Sequence, residues 1–196
     1  MLRRSNIQGF NIPGTPEKLV AALFADDTSA FLSQHDSWSS LWAVLDKWCK
    51  ASRARFNGQK TEVIPIGSKD YRMSVIDQRK IDPANEGDNI PTTIRIAQDG
   101  EPTRVLGAWI GNHVDDVAVW APTLKKIKDF MTRWGTCRPS LTGKKHIVQM
   151  GPGGMSQYLT KVQGMPLSVE KELVNMIRTL IWGHTSTPPV SMDTLY

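Results

Sequence analysis

Two adjacent carboxylates, Asp26 and Asp27, stand where one apolar run, Val20–Ala25, gives way through Thr28 and Ser29 to a second, Ala30–Leu32. Carboxylates about 4 Å apart repel by roughly 1 kcal/mol in water and several-fold more at lower effective dielectric. A hard divalent cation such as Mg2+ converts that repulsion into binding, because it prefers oxygen ligands. Two short apolar runs parted by a few polar residues predict a β-hairpin. The pair would then lie at the tip of a buried sheet, where charge is costly unless a cation offsets it. Asp-Asp by itself is ordinary turn chemistry. The apolar flanks are what raise these two residues to a candidate site.

Asp115-Asp116 lacks an apolar run before it and precedes a helical pattern, so helix N-terminal charge accounts for it. Gly151-Pro152-Gly153-Gly154 lacks the Lys-Ser/Thr of a phosphate-binding loop and reads as a connection between helices. Arg3 and Arg4 read as a solvated pair. The basic residues Lys125, Lys126, Lys128, Arg133, Arg138, Lys144, Lys145 and Lys161 are opposed in the same stretch by Asp129 alone. Clustered lysine and arginine on helices suit phosphate contacts, which position a duplex without reading its sequence; a solvated helix face is the alternative.

The elements that must position these residues follow from pattern. After the hairpin, Asp36 is the expected N-cap of an amphipathic helix whose Trp38, Leu41, Trp42, Leu45, Trp48 and Cys49 recur at spacings of three and four. That stripe reads as core rather than as a surface for stacking bases. Thr61–Ile66 predicts a strand that ends or lies at an edge because of Pro65. Lys69–Pro91 shows no periodicity and predicts a long loop. Thr93–Gln98 and Thr103–Ile110 around Asp99-Gly100 predict a hairpin. From Trp120 the chain turns helical, with Pro122 in a first turn and Leu124, Ile127, Met131 and Trp134 on one face. A second helix runs from Ser140 to Met150, where the glycine cluster breaks it. A third covers Val169–Trp182 and stops at Gly183. The polar, proline-bearing tail Thr185–Tyr196 is expected to be loose.

Composition narrows the class. The 196 residues suffice for one domain or two small ones. Cys49 and Cys137 cannot build a disulfide framework, which favours a reducing compartment. No N-terminal apolar region and no run long enough to cross a bilayer is visible, so an intracellular protein, nuclear or cytoplasmic, is expected. A formal net charge of +5 tilts the choice of partners toward polyanions.

Taken in order, short segments of this chain resemble the reverse transcriptase of non-LTR (LINE-type) retrotransposons of the kind found in fungal genomes. The matching pieces are Phe24-Ala25-Asp26-Asp27-Thr28, the tryptophan helix ending at Trp48-Cys49, Ala54-Arg55-Phe56-Asn57, and Lys60-Thr61-Glu62. Leu106–Gly111, Trp134, Pro139–Lys144, Gln157-Tyr158-Leu159, Met165-Pro166 and Ile181-Trp182 continue the series. Their order and spacing, rather than any single piece, carry the resemblance.

The resemblance implies an α+β chain. Residues 1–112 would form a partial palm of antiparallel hairpins with a packed helix, 113–184 a helical thumb-like region, and 185–196 the tail. It implies RNA-directed DNA polymerase ancestry, hence nucleotidyl transfer with Mg2+ or Mn2+. Asp26 would be the principal metal ligand and Asp27 its companion. Lys60 would lie near the nucleotide phosphates. Lys125, Lys126, Lys128, Arg133, Lys144 and Lys145 would meet nucleic acid, as RNA template with DNA primer or an RNA–DNA hybrid. The family's palm holds a further aspartate on an earlier strand, and Met1–Ala25 contains none. The expectation is therefore a transposable-element fragment that does not polymerise alone. Its alternatives are a nucleic-acid-binding remnant and an interaction fragment completed by a partner chain.

Overall fold

The computed structural model describes residues 1–183, a mixture of helices and short strands. The tail predicted over 185–196 lies outside the described residues. The chain divides into two compact units, Met1–Leu106 with Gly111–His113, and Gly107–Ile110 with the chain from Val114.

In the first unit, β1 (Phe10–Asn11) pairs antiparallel with β2 (Lys18–Leu19), and β3 (Ala21–Phe24) with β4 (Asp27–Ala30). Gly9, at φ 64°, lies so close to β2 that a Cβ there would stand 2.5 Å from the Leu19 carbonyl oxygen. Helix α1 (Trp38–Ser52) buries Trp38, Leu41 and Leu45 against Ile7, Val20, Val75, Ile81, Ile90, Ile94 and Ile96. The stripe reading holds for those three helix residues. It does not hold for Trp42 and Trp48, which remain 37% and 41% exposed.

Asp36 is not the N-cap of α1. Ser37 is, its hydroxyl accepting from the Ser40 amide. Asp36 is buried and accepts from the backbone amides of Gln8, Gly9 and Ser33 at 2.7, 3.0 and 2.7 Å. One side chain thus ties the lead-in of β1 to the turn before α1. Buried Asp88 does the remaining capping, its two oxygens accepting from the Trp38 and Ser39 amides at 2.7 and 2.8 Å. Amides at a helix N-terminus lack intrahelical partners, and an acidic group there also meets the positive end of the helix dipole.

Lys69–Pro91 is not the long loop that its composition predicts. Ser68 caps helix α2 (Lys69–Gln78), and Arg79, left-handed at φ 54°, ends it. The Arg79 guanidinium then donates to the carbonyls of Ile90, Pro91 and Ile94, while the Tyr71 hydroxyl donates to Ile81 O. These bonds supply the order that apolar periodicity does not. The hairpin expected around Asp99-Gly100 does not form either. Its first arm, β6 (Arg95–Ile96), pairs in parallel with β5 (Glu62–Val63). Asp99 instead receives two hydrogen bonds from buried Arg72, at 2.9 and 2.6 Å. Strand β7 (Thr103–Val105) follows in the same unit, with the buried Thr103 hydroxyl lacking a partner among the described residues.

In the second unit, α3 (Asp116–Gly135), α4 (Leu141–Val148), α5 (Gly154–Gln163) and α6 (Leu167–Trp182) enclose Val119, Trp120, Leu124, Ile127, Met131, Leu159, Val169 and Leu173. Helix α3 starts earlier than its apolar face suggests. Asp115 caps it through the Val117 and Ala118 amides, so Pro122 is interior and leaves one i→i−4 bond unmade. Asp115-Asp116 is helix N-terminal charge, as expected. The glycine cluster breaks nothing: a wide π-helical turn over Gln149–Gly153 carries α4 into α5. A Cβ on Gly151 would lie 2.6 Å from the Phe130 ring, so glycine there permits close helix packing. Strand β8 (Ala108–Ile110) is held by Gln163, whose amide side chain accepts from the Trp109 N–H and donates to its carbonyl, each at 3.0 Å. Gly183, at φ 74°, stops α6 as predicted.

Candidate functional site

The segment carrying Asp26 and Asp27 folds as the sequence predicts in its backbone and differs in its surroundings. Ala21, Ala22, Leu23 and Phe24 face Ala30, Ser29, Thr28 and Asp27 in register, leaving Ala25-Asp26 as a two-residue turn. Ala25 takes φ 52°, a left-handed conformation that glycine adopts more readily. Asp26 therefore occupies the turn and Asp27 opens β4.

The expectation of a buried sheet fails. The hairpin pairs with no third strand among the described residues, and both carboxylates are exposed. Leu23 and Phe24, the apolar flank that singled the segment out, are 72% and 66% exposed. Burial begins only at Ala21 and Val20, where the hairpin meets the core of the unit.

The donor set does not fit a two-metal centre. A hard divalent cation takes about six or more oxygen ligands, and a two-metal site needs shared carboxylates fixed around both ions. Among the described residues no group of three His, Cys, Asp or Glu side chains gathers anywhere, the hairpin tip included. Two carboxylates on one solvent-exposed turn can meet a cation. They cannot enclose two.

Lys60 is exposed at the end of a short 3-10 turn, Gly58–Lys60, capped by the Asn57 side chain through the Gln59 and Lys60 amides. No described ion pair engages Lys60 and none joins it to Asp26 or Asp27, although all three lie in the same unit.

The basic residues of the second unit are distributed, not gathered. Lys125, Lys126, Lys128 and Arg133 are all exposed on α3 and take part in no described ion pair. At about 100° per residue, Lys126 and Arg133 share a strip, Lys125 lies roughly 100° round from it, and Lys128 about 60° further. Lys145 is exposed on α4. Lys144 has a structural task instead. Its ammonium donates to the Ile181 carbonyl at 2.8 Å, closing the C-terminal end of α6, where a cation also meets the negative end of the helix dipole.

Two further groups escaped the sequence pattern. Arg72, Asp99 and His113 form a part-buried set in which the guanidinium holds the Asp99 carboxyl below the usual carboxylate range. Trp42, Cys49, Phe56, Arg53 and Arg55 line a groove of about 520 Å³ at the C-terminal end of α1. The signal for the groove was present in Trp48–Phe56, where two aromatic residues bracket Lys50, Arg53 and Arg55.

A scan of the chain against protein-family models matches none, and a search of the curated proteins finds no match. No helix among the described residues is long and apolar enough to cross a membrane.

Proposed function

We propose that this chain is a palm-and-thumb portion of a reverse transcriptase of the non-LTR retrotransposon type, one that retains nucleic-acid contacts but does not polymerise on its own. The observation that carries this reading is the Asp26-Asp27 hairpin. The segment that resembles the family's catalytic motif forms a tight antiparallel turn with both acids at its tip, followed directly by the tryptophan helix. The exposed cations of α3 and α4 support contact with the phosphates of an RNA template and DNA primer, or of their hybrid.

Two carboxylates on an open turn leave nucleotidyl transfer in need of acids from elsewhere. Exposed Leu23 and Phe24 favour a partner chain as their source, since large apolar side chains on an unpaired hairpin invite a covering strand. Primer extension on an RNA template with Mg2+ or Mn2+ tests the proposal. The chain alone is expected to extend no primer. Extension that disappears on Asp26→Ala plus Asp27→Ala would overturn the expected incompleteness and show that this chain assembles a metal site.

A further inference from the structure

At the end of α1 the chain leaves the helix through Arg53, which takes φ 60°, and returns along Ala54, Arg55 and Phe56. The return encloses the groove of about 520 Å³ with Trp42, Leu45 and Cys49 on its helical wall. Two aromatic rings line it, Trp42 and Phe56. Trp42, 37% exposed, stacks on buried Trp38 with centroids 5.8 Å apart, and Trp48 lies 5.4 Å from Phe56. The buried partner fixes the plane of Trp42, and the ring stays partly open to solvent.

Charge at the groove is one-sided. Its lining carries Lys50, Arg53 and Arg55 against Asp46. Lys50 pairs with that one acid at 2.6 Å, which leaves Arg53 and Arg55 with no acidic partner among the described residues. Cations near a helix C-terminus interact favourably with its dipole, and that alone would account for one or two of them. It does not account for half-exposed tryptophans beside uncommitted guanidiniums. Flat rings stack bases whatever their identity, and planar forked guanidiniums fit phosphate oxygens.

We infer that the groove between α1 and Arg55–Phe56 binds single-stranded nucleic acid, with bases against Trp42 and Phe56 and phosphates at Arg53 and Arg55. The inference goes beyond the polymerase-derived reading and stands without it. It concerns a single strand on the first unit, not a duplex on the lysines of the second.

The test uses the full chain and an oligothymidylate of about ten nucleotides, within the usual site size for such grooves. Iodoacetamide alkylation is followed at Cys49, which lies in the groove, with exposed Cys137 of the second unit as internal reference. At saturating oligonucleotide, judged by the plateau of tryptophan quenching, Cys49 is expected to alkylate at least about fivefold more slowly while Cys137 is unaffected. The double variant Arg53→Gly, Arg55→Gln keeps the left-handed backbone at position 53, so it folds. It is expected to bind about tenfold more weakly or worse, with a log–log salt slope flatter by roughly 1.4 for two lost single-strand phosphate contacts. Lack of quenching, an unprotected Cys49 at the plateau, or an unchanged slope in the double variant would each overturn the inference. So would protection of Cys49 by a polyglutamate peptide but not by the oligonucleotide, which would assign the groove to acidic protein.

Discussion

Asp88 joins a loop to the start of α1 across 50 residues of sequence, and its removal tests the architecture of the first unit. The carboxylate is buried and accepts from the Trp38 and Ser39 amides at 2.7 and 2.8 Å, while Ser37 serves Ser40. A hydrogen bond to a charged group contributes about 1.5–3 kcal/mol, and exposed N-caps are worth about 0.5–2 kcal/mol. Asp88→Ala leaves the Trp38 amide buried without an acceptor. The two bonds share one carboxylate and are not additive, so the expected loss is about 3 kcal/mol. Asp88→Asn keeps one acceptor oxygen but sets its NH2 against the other amide N–H, donor facing donor, and is expected to cost about 2 kcal/mol. With m near 1–3 kcal/mol/M in urea, the alanine variant moves the midpoint down by roughly 1–3 M. Tryptophans lie in both units, so the assay is amide hydrogen exchange resolved to the peptides of α1, which reports the first unit alone. An alanine variant that loses less than about 1 kcal/mol, or an asparagine variant that loses nothing, would refute the capping argument.

Other outcomes follow from the same geometry. Arg72 depresses the Asp99 carboxyl, so this pair stabilises the fold above the ordinary carboxylate pKa of 3.8 and loses that contribution as pH falls through the lower folded value; acid titration of unfolding should show an acid-side stability loss that is reduced in Arg72→Gln. Gly151→Ala forces a methyl group to within 2.6 Å of the Phe130 ring and is expected to destabilise the second unit by about 1–3 kcal/mol, measured by exchange of α3 and α5 amides.

What the sequence disclosed was local. Two apolar runs and the turn residues between them placed the hairpin at Val20–Leu32, and helical periodicity placed α1, α3 and α6. What it hid depended on distant partners. Nothing near Leu23 and Phe24 says whether another strand covers them, so the hairpin was legible and its exposure was not. Asp36 reads as the cap from its type and place, and only the approach of the Gln8 and Gly9 amides gives it another task and leaves Ser37 to cap α1. Helix α2 escaped because its inward face includes Arg72, a charged residue buried by pairing with Asp99. The glycine cluster looked like a break, yet Gly151 is the residue that lets two helices touch. Asp26 and Asp27 were recognisable from their flanks. That the pair stands exposed on an open turn was not legible there.

The most direct test of the central claim is the salt dependence of binding to an RNA–DNA hybrid. Lys126 and Arg133 share one strip of α3, Lys125 flanks it and Lys128 lies nearly opposite, so two or three phosphates can be met at once and a log–log slope of about −2 to −3 is expected. Lys126→Gln with Arg133→Gln should flatten that slope by nearly 2 while leaving the first unit folded. Absence of hybrid binding at low salt, or a slope that the double variant does not change, would contradict the account.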